Sequence, residues 1–151
     1  MTQEAVNNAK VLYRLGAPRQ EADELRELYE LTPELLKVLT SPVISIHKKD
    51  AVIEKIYQDA GLSKVLVNYT KMMCRLGYIG EIEDILDAFY LYWDRQNHIL
   101  RAELTCAGTP QPEEEAEARK ILAEKYPDCE IVLTEKEDEN LLGGYIIKVH
   151  H

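Results

Sequence analysis

The chain has 151 residues, 46% of them hydrophobic and 30% charged, with a formal net charge of -9. That is apolar material enough for one ordinary domain or two small ones, too much for a disordered chain, and the negative balance disfavours a general nucleic-acid binder. No apolar run reaches the roughly 18 residues that span a membrane, and Met1-Thr2-Gln3-Glu4 lacks the basic start and apolar stretch of a secretory leader. No direct membrane insertion is therefore expected, and the protein is expected to be made and kept in the cytoplasm.

The first two thirds of the sequence follow a helical period. Residues 3–15 put Val6, Ala9, Leu12 and Tyr13 on one face, and Gly16-Ala17-Pro18 breaks that helix. Residues 19–31 follow, with Ala22, Leu25, Leu28 and Tyr29 in one stripe. Thr32-Pro33-Glu34 predicts a new helix start, with a hydroxyl cap, proline at the first position and an acid near the dipole. That short helix ends before Ser41-Pro42. Residues 46–60 form the fourth helix, with Val52, Ile53, Ile56 and Tyr57 inward and Gly61 as the stop. Ser63 is the expected cap of a fifth, which runs to Leu76. A sixth spans Glu81 to about His98, with Ile82, Ile85, Leu86, Phe89 and Trp93 in line.

The period then changes from helical to alternating. Leu100, Ala102, Leu104 and Cys106 alternate with Arg101, Glu103 and Thr105, which predicts a strand. Pro112 opens a helix with Glu113, Glu114 and Glu115 in its first turn, and Ala118, Ile121, Leu122 and Tyr126 as its expected inner face. Glu130–Glu137 and Tyr145–Val149 are two further strands, separated by the polar turn Asp138-Glu139-Asn140. The fold class is therefore α+β: an N-terminal six-helix bundle over residues 1–98, then a small α/β unit over 99–151 in the order strand-helix-strand-strand. The charge divides unevenly. Residues 1–98 carry 12 Lys/Arg against 15 Asp/Glu, and residues 99–151 carry 6 against 12.

No catalytic constellation emerges. His47 and His98 stand near predicted helix ends without a nucleophile beside them. Cys74, Cys106 and Cys129 lack CxxC spacing, which argues against a disulfide framework and against a zinc site. Glu135, Glu137, Asp138 and Glu139 lack the ligand order of a calcium loop. Gly143-Gly144 has no Lys-Ser/Thr after it and precedes a strand rather than a helix, so a structural turn is expected there, not a phosphate loop. No cofactor and no metal is expected. The segment 64–76 stands out because Val65, Leu66, Val67, Tyr69, Met72, Met73 and Leu76 cover more than one side of it. Such a helix is either central in its bundle or lines a groove for a partner helix.

Four stretches carry a family resemblance: Ala9-Lys10-Val11-Leu12-Tyr13; Leu39-Thr40-Ser41-Pro42-Val43-Ile44 with Lys48 or Lys49 after it; Asn68 with Met72, Met73 and Gly77; and Leu142-Gly143-Gly144-Tyr145-Ile146-Ile147-Lys148-Val149. In order and spacing they resemble the delta subunit of bacterial F-type ATP synthases, whose mitochondrial relative is the oligomycin sensitivity-conferring protein. Tyr78 departs from the pattern, where the family usually has Arg. The family also continues past the Gly-Gly strand with a turn and a final helix, so the C-terminal unit is expected to be shortened.

The resemblance implies a non-catalytic peripheral-stalk subunit. Such a subunit sits at the cytoplasmic face of the cell membrane and links the catalytic head to the stalk, so that proton-driven rotation is coupled to ATP synthesis. It implies two partners. An amphipathic N-terminal helix of an alpha subunit would lie in a groove between the first and fifth helices. That groove would draw on Ala5, Val6, Ala9, Leu12 and Tyr13, and on Val65, Leu66, Tyr69, Met72 and Met73. Spacing does not decide which of these face the groove and which the core. The unit from Leu100 onward would meet the C-terminal end of the b subunits. Two rivals remain at this stage: a helical adaptor that binds an amphipathic partner helix outside any ATP synthase, and a small enzyme using Cys74 or Cys106.

Overall fold

The computed structural model describes residues 1–150. The chain is α+β, with seven α-helices and a mixed three-stranded sheet among the described residues. It divides into two compact units, Met1–Trp93 and a second that begins at Asp94.

The first unit holds α1 (Gln3–Arg14), α2 (Arg19–Leu31), α3 (Pro33–Thr40), α4 (Ile46–Asp59), α5 (Lys64–Leu76), a single 3-10 turn at Ile79–Glu81, and most of α6 (Ile82–Gln96). Apolar residues three and four apart place one stripe of each helix inward. Leu12, Leu25, Leu35, Leu39, Ile53, Leu66, Met73, Ile85 and Phe89 share one buried core. The expected sixth helix is shorter than its sequence stretch at both ends. Ile79–Glu81 tightens into the 3-10 turn after Gly77, and His98 takes a positive φ of 53°. Gly77, at φ 81°, closes α5 with a left-handed residue that a side chain rarely adopts.

Two expected caps form otherwise. Thr32 already ends α2, its N–H donating to the Leu28 carbonyl, and it precedes Pro33, which restricts its backbone; its side chain makes no capping bond. Ser63 makes none either. Its backbone N–H donates to Glu21 Oε1 at 3.0 Å, so an acid from α2 anchors the start of α5. Across α4 and α5, Asp50 pairs with Arg75 and Glu54 with Lys71. The descending order of these partners sets the two helices antiparallel. Between α2 and α6, Arg26 pairs with Asp87, and the guanidinium groups of Arg19 and Arg26 lie over the Tyr90 ring at 4.5 and 5.4 Å.

In the second unit, β1 (Ile99–Cys106) is the central strand. The helix α7 (Pro112–Lys125) returns the chain to β2 (Glu130–Glu137), which pairs parallel to β1. Residues 138–144 then cross the end of β1 and lead to β3 (Tyr145–His150), antiparallel on its other side. Alternate residues Leu100, Ala102, Leu104 and Cys106 are buried, with Ala118 and Leu122 of α7 over them. Ile121, expected on the inner face of α7, is exposed; one hundred degrees of helix per residue carries it away from its neighbour Leu122. Because Ile99 pairs with Glu130 and Cys106 with Glu137, Cys129 lies at the opposite end of the sheet from Cys106, and all three cysteines are free.

The chain enters β3 through Gly143 and Gly144. Gly144 has φ 74°, and a Cβ built on it would meet nothing within 4 Å. The demand there is on backbone conformation alone. Gly144→Val, a β-branched residue at positive φ, is expected to cost about 1–3 kcal/mol. Hydrogen exchange resolved along the sequence should show faster exchange in β1–β3 and unchanged exchange in α1–α5. Equal acceleration in both would show that the two units unfold as one.

Candidate partner-binding face

The N-terminal ends of α1 and the C-terminal region of α5 are joined by specific bonds. Thr2 caps α1 by accepting from the Ala5 N–H, and its hydroxyl donates to Glu81 Oε1 at 2.8 Å, just beyond α5. One and a half turns on, the Tyr69 hydroxyl of α5 donates to the Asn8 carbonyl of α1 at 2.7 Å. Burial pushes the Tyr69 pKa well up, so the phenol remains a donor. The two links run in opposite chain directions, which places α1 antiparallel to α5.

On α5, Leu66, Tyr69, Thr70 and Met73 are buried. The neighbouring stripe is open to solvent: Val65 is 38% exposed, Met72 37% and Leu76 58%. These three positions recur at seven and four residues, so they lie along one side of the helix. On α1, Ala5, Ala9 and Leu12 are buried. Asn8, the residue bonded to Tyr69, shares its side of α1 with Glu4, Val11 and Leu15, at intervals of four, three and four. Val11 is half-buried and Leu15 is 48% exposed. An apolar strip from both helices thus flanks the Tyr69–Asn8 bond.

The structure sorts the residues that the sequence drew together. Ala5, Ala9, Leu12, Leu66, Tyr69 and Met73 are core residues; Val65 and Met72 are outward. Val6 is half-buried against the core. Tyr13 lies on the other side of α1, its ring 5.2 Å from Tyr92, 5.6 Å from Trp93 and 6.4 Å from Phe89. It belongs to an aromatic cluster with α6, not to the side that meets α5. Sequence reasoning missed Val11 and Leu15. Their four–three–four spacing with Glu4 and Asn8 was the available signal, masked because Val6 and Tyr13 looked equally apolar.

Among the described residues no three His, Cys, Asp or Glu side chains gather as metal ligands, and no helix is long and apolar enough to cross a membrane. Burial pushes the Cys74 thiol up to about 11. Burial and then the nearby Glu114 raise that of Cys106 as well. Neither thiol has the lowered pKa of a nucleophile. Gly143 and Gly144 stand at the mouth of β3, and the first turns of α7 bring Glu114 and Glu117 to the neighbouring Tyr145, carboxylates that would repel a phosphate.

Comparison with known proteins agrees on one family. The family profile described as "ATP synthase delta (OSCP) subunit" matches residues 6–151. An ATP synthase subunit delta of Oleidesulfovibrio alaskensis is 30% identical over 146 residues, covering 96% of this chain and 79% of the relative. One of Lactiplantibacillus plantarum is 25% identical over 147 residues, covering 93% and 80%. In fold, the chain matches one from the cryo-EM structure of the Toxoplasma gondii mitochondrial ATP synthase hexamer, with a TM-score of 0.62 at 13% identity, over 99% of this chain and 86% of that one. The chain belongs to the ATP synthase delta (OSCP) subunit family, the peripheral-stalk subunits of the F-type enzyme.

Proposed function

We propose that this chain is a non-catalytic stator subunit whose six-helix bundle grips the catalytic head and whose C-terminal unit meets the stalk. The carrying observation is the exposed apolar strip Val65, Met72 and Leu76 beside Leu15 and Val11, pinned along the Tyr69–Asn8 bond. An amphipathic helix buries its apolar side in such a strip, with anchors at i, i+3 or i+4 and i+7. The proposed occupant is an N-terminal helix of an alpha subunit. The proposed contact of the unit from Leu100 onward is the C-terminal end of the b subunits. The complex would hold this chain at the cytoplasmic face of the cell membrane as a peripheral component.

The physical task is to resist torque. The head must stay still while the rotor turns, or proton flow does no synthesis. That task needs tight binding to rigid elements and no bond-making chemistry. A chain in which burial raises the Cys74 and Cys106 thiols and whose apolar excess lies on a helix suits both needs.

Calorimetric titration with a synthetic peptide of the N-terminal segment of the same organism's alpha subunit should give saturable one-to-one binding. Met72→Asp should weaken it at least about tenfold, or ~1.4 kcal/mol, with helical content unchanged. Tyr69→Asp is unsuited to that test, because a buried core position would lose the fold along with the binding. Full-affinity binding by a folded Met72→Asp variant would remove α5 from the interface.

The thiols give an independent check on the absence of nucleophilic chemistry. Cys74 alkylation by iodoacetamide should be slow at neutral pH. Its rate should climb as pH rises toward about 11, beyond the point where an ordinary thiol near 8.5 has levelled off. A fast Cys74 at neutral pH would contradict the reading.

A further inference from the structure

The strip shared by α1 and α5 is bordered on both sides by rows that hold no acid. On α5, Val65, Tyr69, Met72 and Leu76 recur at four, three and four, and the row one residue earlier is Lys64, Asn68, Lys71 and Arg75. One residue is about 100° of helix, so this second row forms the neighbouring rim. Lys71 and Arg75 pair with Glu54 and Asp50, which puts the rim on the α4 side. On α1, the row one residue before Glu4, Asn8, Val11 and Leu15 is Gln3, Asn7, Lys10 and Arg14. Lys10 lies over the Tyr92 ring of α6 at 5.7 Å, which puts that rim on the α6 side. Cations thus frame an apolar strip in a chain whose net charge is -9.

These cations are not equivalent. The Thr2–Glu81 and Asn8–Tyr69 bonds set α1 antiparallel to α5. At about 1.5 Å per residue, Arg14 stands about 9 Å beyond Asn8 and Lys64 about 7.5 Å before Tyr69, so both fall toward one end of the strip. Lys71, Arg75 and Glu4 fall toward the other. There the cations are matched within the unit, by Glu54 and Asp50. Arg14 and Lys64 are exposed, and neither has an ion-pair partner among the described residues. Glu21 also stands at their end, its carboxylate accepting from the Ser63 N–H at 3.0 Å. The helix dipole accounts for Arg14, a cation in the last turn of α1. It opposes Lys64, a cation in the first turn of α5, a turn that holds no acid. Lys64 works against its own helix.

We propose that Arg14 and Lys64 are the selective end of this face: they receive the acidic end of the partner helix and so fix which way along α5 that helix lies. The inference rests on the reading of the strip as the seat of an alpha-subunit helix, and it adds the chemistry of the occupant. That occupant is an amphipathic helix with its excess of Asp and Glu in one half, on the flanks of the apolar stripe. A single exposed ion pair contributes little. Apolar burial holds the helix, and charge discriminates between its two placements. A reversed helix would set its acids against Glu4 and against cations already neutralised.

Calorimetric titration of the whole chain with the synthetic alpha-subunit peptide tests this. At about 0.05 M salt, Arg14→Glu combined with Lys64→Glu should weaken binding at least about fivefold; at about 0.5 M salt the loss should shrink to less than about twofold, because screening shortens the reach of exposed charges. Lys48→Glu, at an exposed position outside both rows, should stay within about twofold of the native affinity at either salt. Lys64→Glu alone should weaken binding while leaving the melting temperature equal or higher, since it sets an acid at the positive end of the α5 dipole. Replacing the acids in the more acidic half of the peptide by the matching amides should weaken binding to the native chain and not to the double variant. Native affinity in the folded double variant, an equal loss at both salts, an equal loss in Lys48→Glu, or an amide peptide that binds the native chain undiminished would each overturn the proposal. The stator reading survives any of these so long as Met72→Asp still weakens the native peptide. Absence of binding by the native chain removes that reading, and this inference with it.

Discussion

Helix α5 carries more apolar side chain than the first unit encloses, and much of the structure answers to that excess. Leu66, Tyr69 and Met73 fill the core, which leaves Val65, Met72 and Leu76 with water. A helix apolar on most sides is usually central. Here it lies under only part of its own surface, and α1 covers one flank through the Tyr69–Asn8 and Thr2–Glu81 bonds. Those bonds do what apolar contact does poorly: they fix position. A tyrosine with a buried ring and a bonded hydroxyl contributes area and direction at once.

The second unit is built on a different balance. Its core is small, with one helix laid on one face of three strands. Backbone demands weigh more there. The left-handed Gly144 lets the chain turn into β3, and His98, also at positive φ, turns it into β1 while its carbonyl accepts from the Glu130 N–H at 2.8 Å. The bidentate pairing of Arg101 with Asp94 adds a charge-assisted tie between β1 and the last turn of α6. In a unit with so little apolar area, one distorted turn removes a large share of the stability.

Much of the element order was legible because the hydrophobic period is unambiguous. Leu100, Ala102, Leu104 and Cys106 alternate, whereas Ile82, Ile85, Leu86 and Phe89 recur at three and four, and both patterns stand in the buried set. The caps were less legible. Ser63 has the right side chain for capping, but Glu21, forty-two residues away, takes its place, and no local rule sees that. For the residues of α1 and α5 drawn together in the sequence, the pattern was legible only as apolar composition. Period identifies which residues of α1 and α5 are apolar; only packing shows that Tyr13 turns to Trp93 and Tyr92, leaving Val11 and Leu15 beside α5.

The same facts bear on how a surface like this binds. Association must offset lost freedom of both partners, and a face held rigid beforehand reduces that cost. The strip on α5 is held from inside by Thr70 and Tyr57, from α1 by Asn8, and at its start by Glu21. Thr70 and Tyr57, fully buried, would not touch a partner helix lying on Val65, Met72 and Leu76. Their contribution to binding would be to hold α5 in place beneath that strip. For a subunit that must hold against torque, a rotation of α5 inside its own unit would be a slip in the linkage, so polar groups buried at some cost in desolvation serve stiffness where additional apolar area would not.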